Sequence, residues 1–265
     1  MKVTLIDCTS NPIKTCEECA SVCYDSKPSF AILKACIKSG HTSVLEHANY
    51  TFKIEGVSRA LLAQITRHRI ASYSVRSQRY CEEDCRVGDE PNYVIPPTIS
   101  KKTYTEYHKA IERSFNEYDY LINEGVPKED ARMVLPNACN TTIMMTINLR
   151  SLGNFMGERL CTRAQWEIRE CAKLMKKEIL STMDDDEAEF FDKYWLAPKC
   201  MQHEIPLCEE HNCCGKSPSI KQVIEWKNKV DTSEMLEKIN KEQFFQALME
   251  QQQKDIFHNG YYKEY

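Results

Sequence analysis

The sequence predicts an α+β protein, and three observations carry that reading. Residues 48–55 alternate apolar and polar side chains, the period of two of a half-buried strand. Residues 104–122 repeat apolar side chains at steps of three and four, as an amphipathic helix does. Strand-like and helix-like stretches interleave, but without the regular βαβ rhythm of a doubly wound sheet. The 265 residues include 35 basic and 39 acidic side chains, a formal net charge of −4. Such a length suits one large domain, or one domain with an appendage. No apolar run approaches the roughly 20 residues that a membrane helix needs. Met1–Cys8 holds one short apolar stretch, Val3 to Ile6, and no cleavage pattern, so no signal peptide is expected and a soluble, cytoplasmic protein is. Eight glycines and ten prolines exclude collagen-like and low-complexity classes. Without an export signal, the fourteen cysteines are expected to be reduced and mostly buried.

The elements follow in order. Ala48, Tyr50, Phe52 and Ile54 form the apolar face of a strand, against Asn49, Thr51, Lys53 and Glu55. Val57 to His68 lacks Gly and Pro and reads as a helix; Gln64 to Tyr80 reads as its end and a polar loop. Asn92–Pro96 reads as a short strand stopped by two prolines. Tyr104, His108, Ile111, Phe115, Tyr118 and Ile122 define a long helix over Lys101–Asn123, with His108 a half-buried face residue. Gly125 closes it, and Pro127–Glu129 opens a short helix ending near Pro136. The β-branched, Met-rich run Asn137–Asn148 reads as a strand. Ser151–Leu160 and Gln165–Leu180 are two more helices, the second with Trp166, Cys171 (or Ala172), Met175 and Ile179 on one face. Asp184–Glu187 is a solvated helix start, since acids suit that end. Cys16-Glu17-Glu18-Cys19 has redox-motif spacing but lies in a helical stretch, where packing is expected. From Ala197 a Pro/Cys/His loop runs to Pro218, and a Lys/Glu/Gln-rich helical tail to Tyr265. That shift divides the chain into 1–198 and 199–265.

Acidic residues are missing from Gly56 to Cys81, yet Arg59, Arg67, Arg69, Arg76 and Arg79 all fall there. A second gap, Ala131 to Gly157, carries Arg132 and Arg150, with Arg159 just beyond. Arginine without acids suits a phosphate or carboxylate, because the planar guanidinium donates two parallel hydrogen bonds to an oxyanion. The usual nucleotide loops are absent. Gly-x-Gly-x-x-Gly does not occur, and Gly215-Lys216-Ser217 lacks the earlier glycine of a P-loop, since Glu210 stands there. The cluster Cys200, His203, Cys208, His211, Cys213, Cys214 offers soft ligands, but it lacks a Cys-x-x-Cys knuckle and no metal is assigned to it.

The core of the first gap is Arg67-His68-Arg69, seven residues, Ser77, and Arg79 two further on. It resembles the signature of the flavin-dependent thymidylate synthases. Gly40-His41-Thr42-Ser43-Val44-Leu45-Glu46-His47, Arg132–Pro136, Asn148-Leu149-Arg150-Ser151-Leu152 with Asn154-Phe155, Arg159, and Gln165–Ile168 resemble further family segments in the same order. The resemblance spans roughly Met1 to Trp195. It implies a central, mostly antiparallel sheet flanked by helices with no Rossmann motif, and a homotetramer whose active sites draw on several subunits. It implies FAD as cofactor and conversion of dUMP to dTMP, with methylenetetrahydrofolate and NADPH as co-substrates. By position, Ser43, Glu46, Arg67, His68, Arg69, Asn148, Arg150 and Asn154 would contact FAD. Gln64, Arg67, Ser77, Gln78, Arg79, Arg132 and Arg159 would hold dUMP, with Arg159 as the catalytic residue and His41 near flavin and folate. The family does not use a cysteine nucleophile, so no cysteine is nominated. Val75, Cys23 and Arg163 depart from residues common in relatives. Two other readings stay open: the same fold acting on another pyrimidine nucleotide, and a nucleic-acid module using the interleaved Arg and Tyr of 67–80. The net negative charge and the confinement of basic residues to short segments speak against nucleic acid. Neither a nucleic-acid nor a membrane partner is expected.

Overall fold

A computed structural model describes residues 1–88 and 90–229 of the chain. The strands are β1 (Lys2–Cys8), β2 (Asn49–Ser58), β3 (Ser72–Val75), β4 (Arg86–Val87), β5 (Glu90–Pro91) and β6 (Asn140–Asn148). The helices are α1 (Pro12–Tyr24), α2 (Phe30–Lys38), α3 (Arg59–Ile65), α4 (Lys101–Asn123), α5 (Lys128–Ala131), α6 (Leu149–Arg159), α7 (Trp166–Leu180), α8 (Asp185–Phe190) and α9 (Ile220–Lys229). Four strands form one sheet in the order β1-β2-β6-β3, every pair antiparallel. This is the α+β architecture that the sequence predicts.

The ladder between β2 and β6 is the longest, running from Asn49 opposite Asn148 to Ser58 opposite Asn140. Because side chains alternate across a strand, Tyr50, Phe52 and Ile54 share one face with Ile147, Met145 and Ile143, their register partners, and all six are buried. A bulge at Gly56, with φ of +66°, breaks the alternation, so Val57 and Ser58 are both buried at the strand's end. Onto this face pack α1, α2, α6 and α7, contributing Cys16, Leu33, Leu152, Phe155, Ile168 and Met175 to a single core. Cys16 is fully buried, and burial pushes its thiol up to about 12, as expected of packing rather than redox chemistry. A smaller cluster of Tyr93, Ile111, Phe115 and Cys139 seats α4 beside the sheet.

Several boundaries differ from the sequence reading. Val57 and Ser58 still belong to β2, and the helix read over 57–68 is the shorter α3; Ser58 caps it, its Oγ accepting Leu61 N at 3.0 Å. The stretch read as a polar loop contains β3, an edge strand too short to show a pattern. Asn92–Pro96 makes only an isolated bridge, Tyr93 to Cys139, because prolines remove the next donors. The N-terminal strand β1 falls where the sequence shows only one short apolar stretch, Val3 to Ile6. α4 covers Lys101–Asn123 as expected, with His108 half-buried and 2.5 Å from the Tyr93 hydroxyl. Asp184 and Glu187 form a capping box at the start of α8. The tail reading beyond Lys229 lies outside the described residues.

Gly153 permits one close approach. A Cβ there would sit 2.3 Å from Cε2 of Trp195, whose Nε1 donates to Leu149 O at 2.8 Å. Gly153→Ala should therefore overpack α6 and cost about 1–3 kcal/mol, lowering the thermal midpoint by about 2–4 °C per kcal/mol. An unchanged midpoint in calorimetry would show that the indole does not sit against this helix.

Candidate active site

The predicted site residues fall into three groups, each built on a strand end or a helix end. The first hangs from α3. Glu167, 2 % exposed, accepts Ser58 N (2.7 Å) on Oε1 and Ser58 Oγ (2.5 Å) on Oε2. A buried carboxylate with two such donors fixes the corner where β2 becomes α3. Beyond the far end of α3, the Tyr73 hydroxyl lies 2.8 Å from Ile65 O and 2.9 Å from His68 O, its one proton shared between the two carbonyls of the turn. Burial pushes the Tyr73 phenol up to about 12, so it remains a donor. Gln64 turns back along the helix, Nε2 donating to Ala60 O at 3.3 Å.

Arg67 and Arg69 leave this turn exposed, and among the described residues neither guanidinium has a partner. His68 points inward instead. Its Nε2 accepts Arg159 Nε at 3.0 Å, and its ring meets Phe155 edge-on at 4.8 Å. Glu158 Oε2 lies 3.8 Å from the same nitrogen. Burial first, and the Arg159 charge second, hold the His68 pKa below its ordinary value, so the ring is neutral at pH 7.

The second group is the turn Ser77–Arg79. Arg59 Nη2 donates to Arg76 O at 2.9 Å, Arg76 Nη1 pairs with Glu83 Oε2, and Arg76 Nη2 donates to Glu82 O at 2.8 Å. Glu83 is fully buried, with its other oxygen 3.7 Å from Arg59 Nη2. Just beyond this clamp, Ser77 Oγ accepts Arg79 N at 3.2 Å and buried Gln78 reaches Cys139 Sγ at 3.6 Å. Arg79 Nε donates to Glu129 Oε2 at 2.7 Å, and Arg132 Nε donates to Glu129 O at 3.0 Å. Two guanidiniums therefore meet at one residue.

The third group lines the start of α6. Asn148 caps the helix, its Oδ1 accepting Ser151 N at 2.8 Å. Arg150, Asn154 and Glu158 follow at steps of four and share one exposed face. Arg150 Nη1 pairs with Glu46, which lies with exposed Ser43 on the 3₁₀ turn Thr42–His47. His41, just before that turn, has Nδ1 2.9 Å from the Tyr24 hydroxyl.

The structure thus brings together His68 with Arg159, Arg79 with Arg132, and Glu46 with Arg150. It corrects the simple picture of acid-free stretches. Acids absent from the linear gaps return in space: Glu83 holds Arg59 and Arg76, and Glu129 holds Arg79. Glu83, Glu129, Glu158, Tyr73 and Glu167 were not singled out in the sequence. Glu83 has a signal there in the acidic run that follows the first gap directly, and Glu167 in the segment Gln165–Ile168. Of the departures, Val75 is half-buried in β3 opposite Ile143, Cys23 is exposed at the end of α1, and Arg163 lies 3.4 Å from Glu210.

Behind the end of α6 lies a cavity of about 570 Å³, with walls that include Arg159, Arg163, Cys200, His203 and Cys208. Gln202 ties this segment to α6, its Nε2 donating to Gly153 O at 2.8 Å. Among the described residues, no three His, Cys, Asp or Glu side chains are grouped to hold a metal ion, and no helix is long and apolar enough to cross a membrane.

An antiparallel sheet with helices launched from its strand ends, presenting arginines without a glycine-rich loop, defines the class: an α+β protein without a Rossmann motif. Residues 4–183 match the family model described as "Thymidylate synthase complementing protein". The flavin-dependent thymidylate synthase of Clostridium tetani is 36 % identical, the match covering 84 % of this chain and 96 % of that one. That of Pyrococcus furiosus is 41 % identical over 76 % of this chain and 87 % of its own. A flavin-dependent thymidylate synthase from Helicobacter pylori, solved with FAD and dUMP, superposes with a TM-score of 0.58 at 25 % identity, covering 72 % of this chain and 98 % of that one. A UMP/dUMP methylase from Streptomyces cacaoi, at 21 % identity and a TM-score of 0.62 over 74 % of this chain and 96 % of its own, shares the fold. The chain belongs to the flavin-dependent thymidylate synthase family.

The buried clamp generates a prediction. Glu83→Gln leaves two guanidiniums facing each other without the charge between them and should destabilise the protein by about 3 kcal/mol, the low end for breaking a buried ion pair. Urea unfolding measures it, and a midpoint equal to that of the parent protein would show the clamp to be ornamental.

Proposed function

We propose that the protein catalyses FAD-dependent reductive methylation of dUMP to dTMP, with methylenetetrahydrofolate as one-carbon donor and NADPH as reductant. The observation that carries this is the turn at the end of α3: two arginines, unpaired among the described residues, flank a neutral histidine that holds a third. Arg67 and Arg69 fit a flavin diphosphate by their chemistry, being exposed forks with no competing carboxylate among the described residues. FAD, when bound, supplies the two electrons that turn a transferred methylene into a methyl group. The chain's own residues do the rest. Arg159 lays positive charge beside the pyrimidine, stabilising negative charge on N3 and the carbonyl oxygens and raising electron density at C5. Ser77, Arg79 and Arg132 receive the nucleotide phosphate. The pair of Arg79 with Glu129 does not prevent this. Both side chains are about half exposed, and such a pair is worth only about 0–1 kcal/mol, less than a charge-assisted bond to a phosphate dianion. The Arg150–Glu46 pair, similarly exposed, can open toward the cofactor with Ser43, Asn148 and Asn154. Gln64, Gln78 and His41 complete the proposed contacts.

The active species is proposed to be a homotetramer of about 123 kDa, four chains of 30.8 kDa, with sites shared between subunits. Residues 1–198 are the catalytic domain in this reading and 199–265 an extension, of which Gln202 holds α6. Two outcomes follow. Replacing Arg67 and Arg69 together by Ala should strip the flavin, read as loss of visible absorbance per chain; full occupancy would refute the pocket. Inactive Arg67→Ala and Arg159→Ala chains, mixed and reassembled, should regain part of their dTMP-forming activity. No recovery from a stable mixed tetramer would argue that both residues act within one subunit.

A further inference from the structure

We propose that His68 is a positioning residue for Arg159: its unprotonated Nε2 accepts the Arg159 Nε proton and sets the plane in which the guanidinium meets the pyrimidine. The inference rests on the proposed function of Arg159 and assigns the group that orients it. A guanidinium has two edges. With Nε committed to His68 at 3.0 Å, the other edge, Nη1 and Nη2, can span two acceptors in one plane once Nη2 leaves the exposed Glu158 carboxylate, 3.9 Å away. A long side chain at a helix end otherwise samples many rotamers, and losing that freedom on binding costs about 1.5–2 kcal/mol. His68 removes much of that cost in advance. The histidine is itself held: Phe155 presses on its ring edge-on, and Tyr73 pins its carbonyl.

The contact works in one protonation state. An imidazolium would turn an N–H toward the Arg159 N–H and place two cations together. The charged groups facing the ring are both on α6, Arg159 at 3.0 Å and Glu158 at 3.8 Å. Glu158 is 63 % exposed, so its opposing pull is screened, and burial together with Arg159 keeps the ring's pKa below 6.5. The sign follows. Above 6.5 the ring is neutral and the contact is intact. As pH falls from 6.5 toward the folded-state pKa, folded protein loses stability relative to unfolded chains, which already bind the proton, and below the folded-state pKa the proton taken up at Nε2 expels Arg159.

Three proteins separate this role from a merely structural one. In His68→Gln the side-chain oxygen can replace Nε2 as acceptor but does not titrate. In His68→Leu the acceptor is gone. Single-turnover dTMP formation at saturating dUMP is followed from pH 5 to 8, with flavin occupancy and reduction by NADPH measured alongside. Wild-type protein should show an acid limb below 6.5. His68→Gln should lose that limb and retain more turnover than His68→Leu, whose methylation rate should fall about 10–100-fold, the value of a hydrogen bond to a charged group. A Gln variant with an unchanged acid limb, or a Leu variant as fast as Gln, would overturn the assignment. Should His68→Leu fail to fold, the Gln profile decides alone. Wild-type protein that forms no dTMP at any pH would instead overturn the proposed function, and this role with it.

Discussion

The antiparallel pairing of β2 with β6 sets where every candidate site residue can be. Each strand runs straight into a helix, and because the strands are antiparallel the helices leave from opposite ends. Ser58 closes β2 and caps α3; Asn148 closes β6 and caps α6. Helix α6 has eleven residues, about 16 Å at 1.5 Å per residue, and its last turn brings Arg159 to the turn that follows α3. There His68 and Arg159, 91 positions apart, come within a hydrogen bond. A one-residue slip in the ladder would turn Tyr50, Phe52 and Ile54 out of the core and move both helix starts. Glu167 guards the corner against such a slip by holding Ser58 from a third element, α7.

Burial separates the arginines by role. Glu83 is buried between Arg59 and Arg76, and removing it would strand charge in a low dielectric, so those two arginines belong to the scaffold. Arg79 and Arg150 also face carboxylates, but at half-exposed sites where water and salt screen the attraction. An incoming phosphate can compete for them. Arg67 and Arg69 have no carboxylate to displace among the described residues, and Arg159 is engaged by a neutral ring on Nε and, at 3.9 Å from Nη2, only by the exposed Glu158. The same residue type thus serves as brace, exchangeable anion contact and activating group, according to what faces it.

The parts of the fold that were legible in the sequence are those with long periodic signals. α4 shows six apolar or half-apolar positions over five turns, and β2 alternates cleanly until Gly56. β3 was not legible because four residues, two of them serine, cannot display a face; it exists because β6 offers an unpaired edge. β1 failed for a related reason, being an edge strand with half its residues wet. At the site, the motif located Arg67–Arg69 and Arg159 separately, but nothing local in either segment states that they touch. That contact follows from topology. The acid-free gaps pointed to real arginines but overstated their freedom, because a gap along the chain says nothing about acids folded in from residues 83 or 129.

Bound flavin and methyl transfer are coupled in this enzyme, and a stoichiometric experiment reaches that coupling most directly. Protein reduced anaerobically with one equivalent of NADPH per bound flavin, then mixed with dUMP and methylenetetrahydrofolate, should form one dTMP for each flavin that regains its visible absorbance. Formation of dTMP by flavin-free protein, or recovery of absorbance with no dTMP formed, would contradict it.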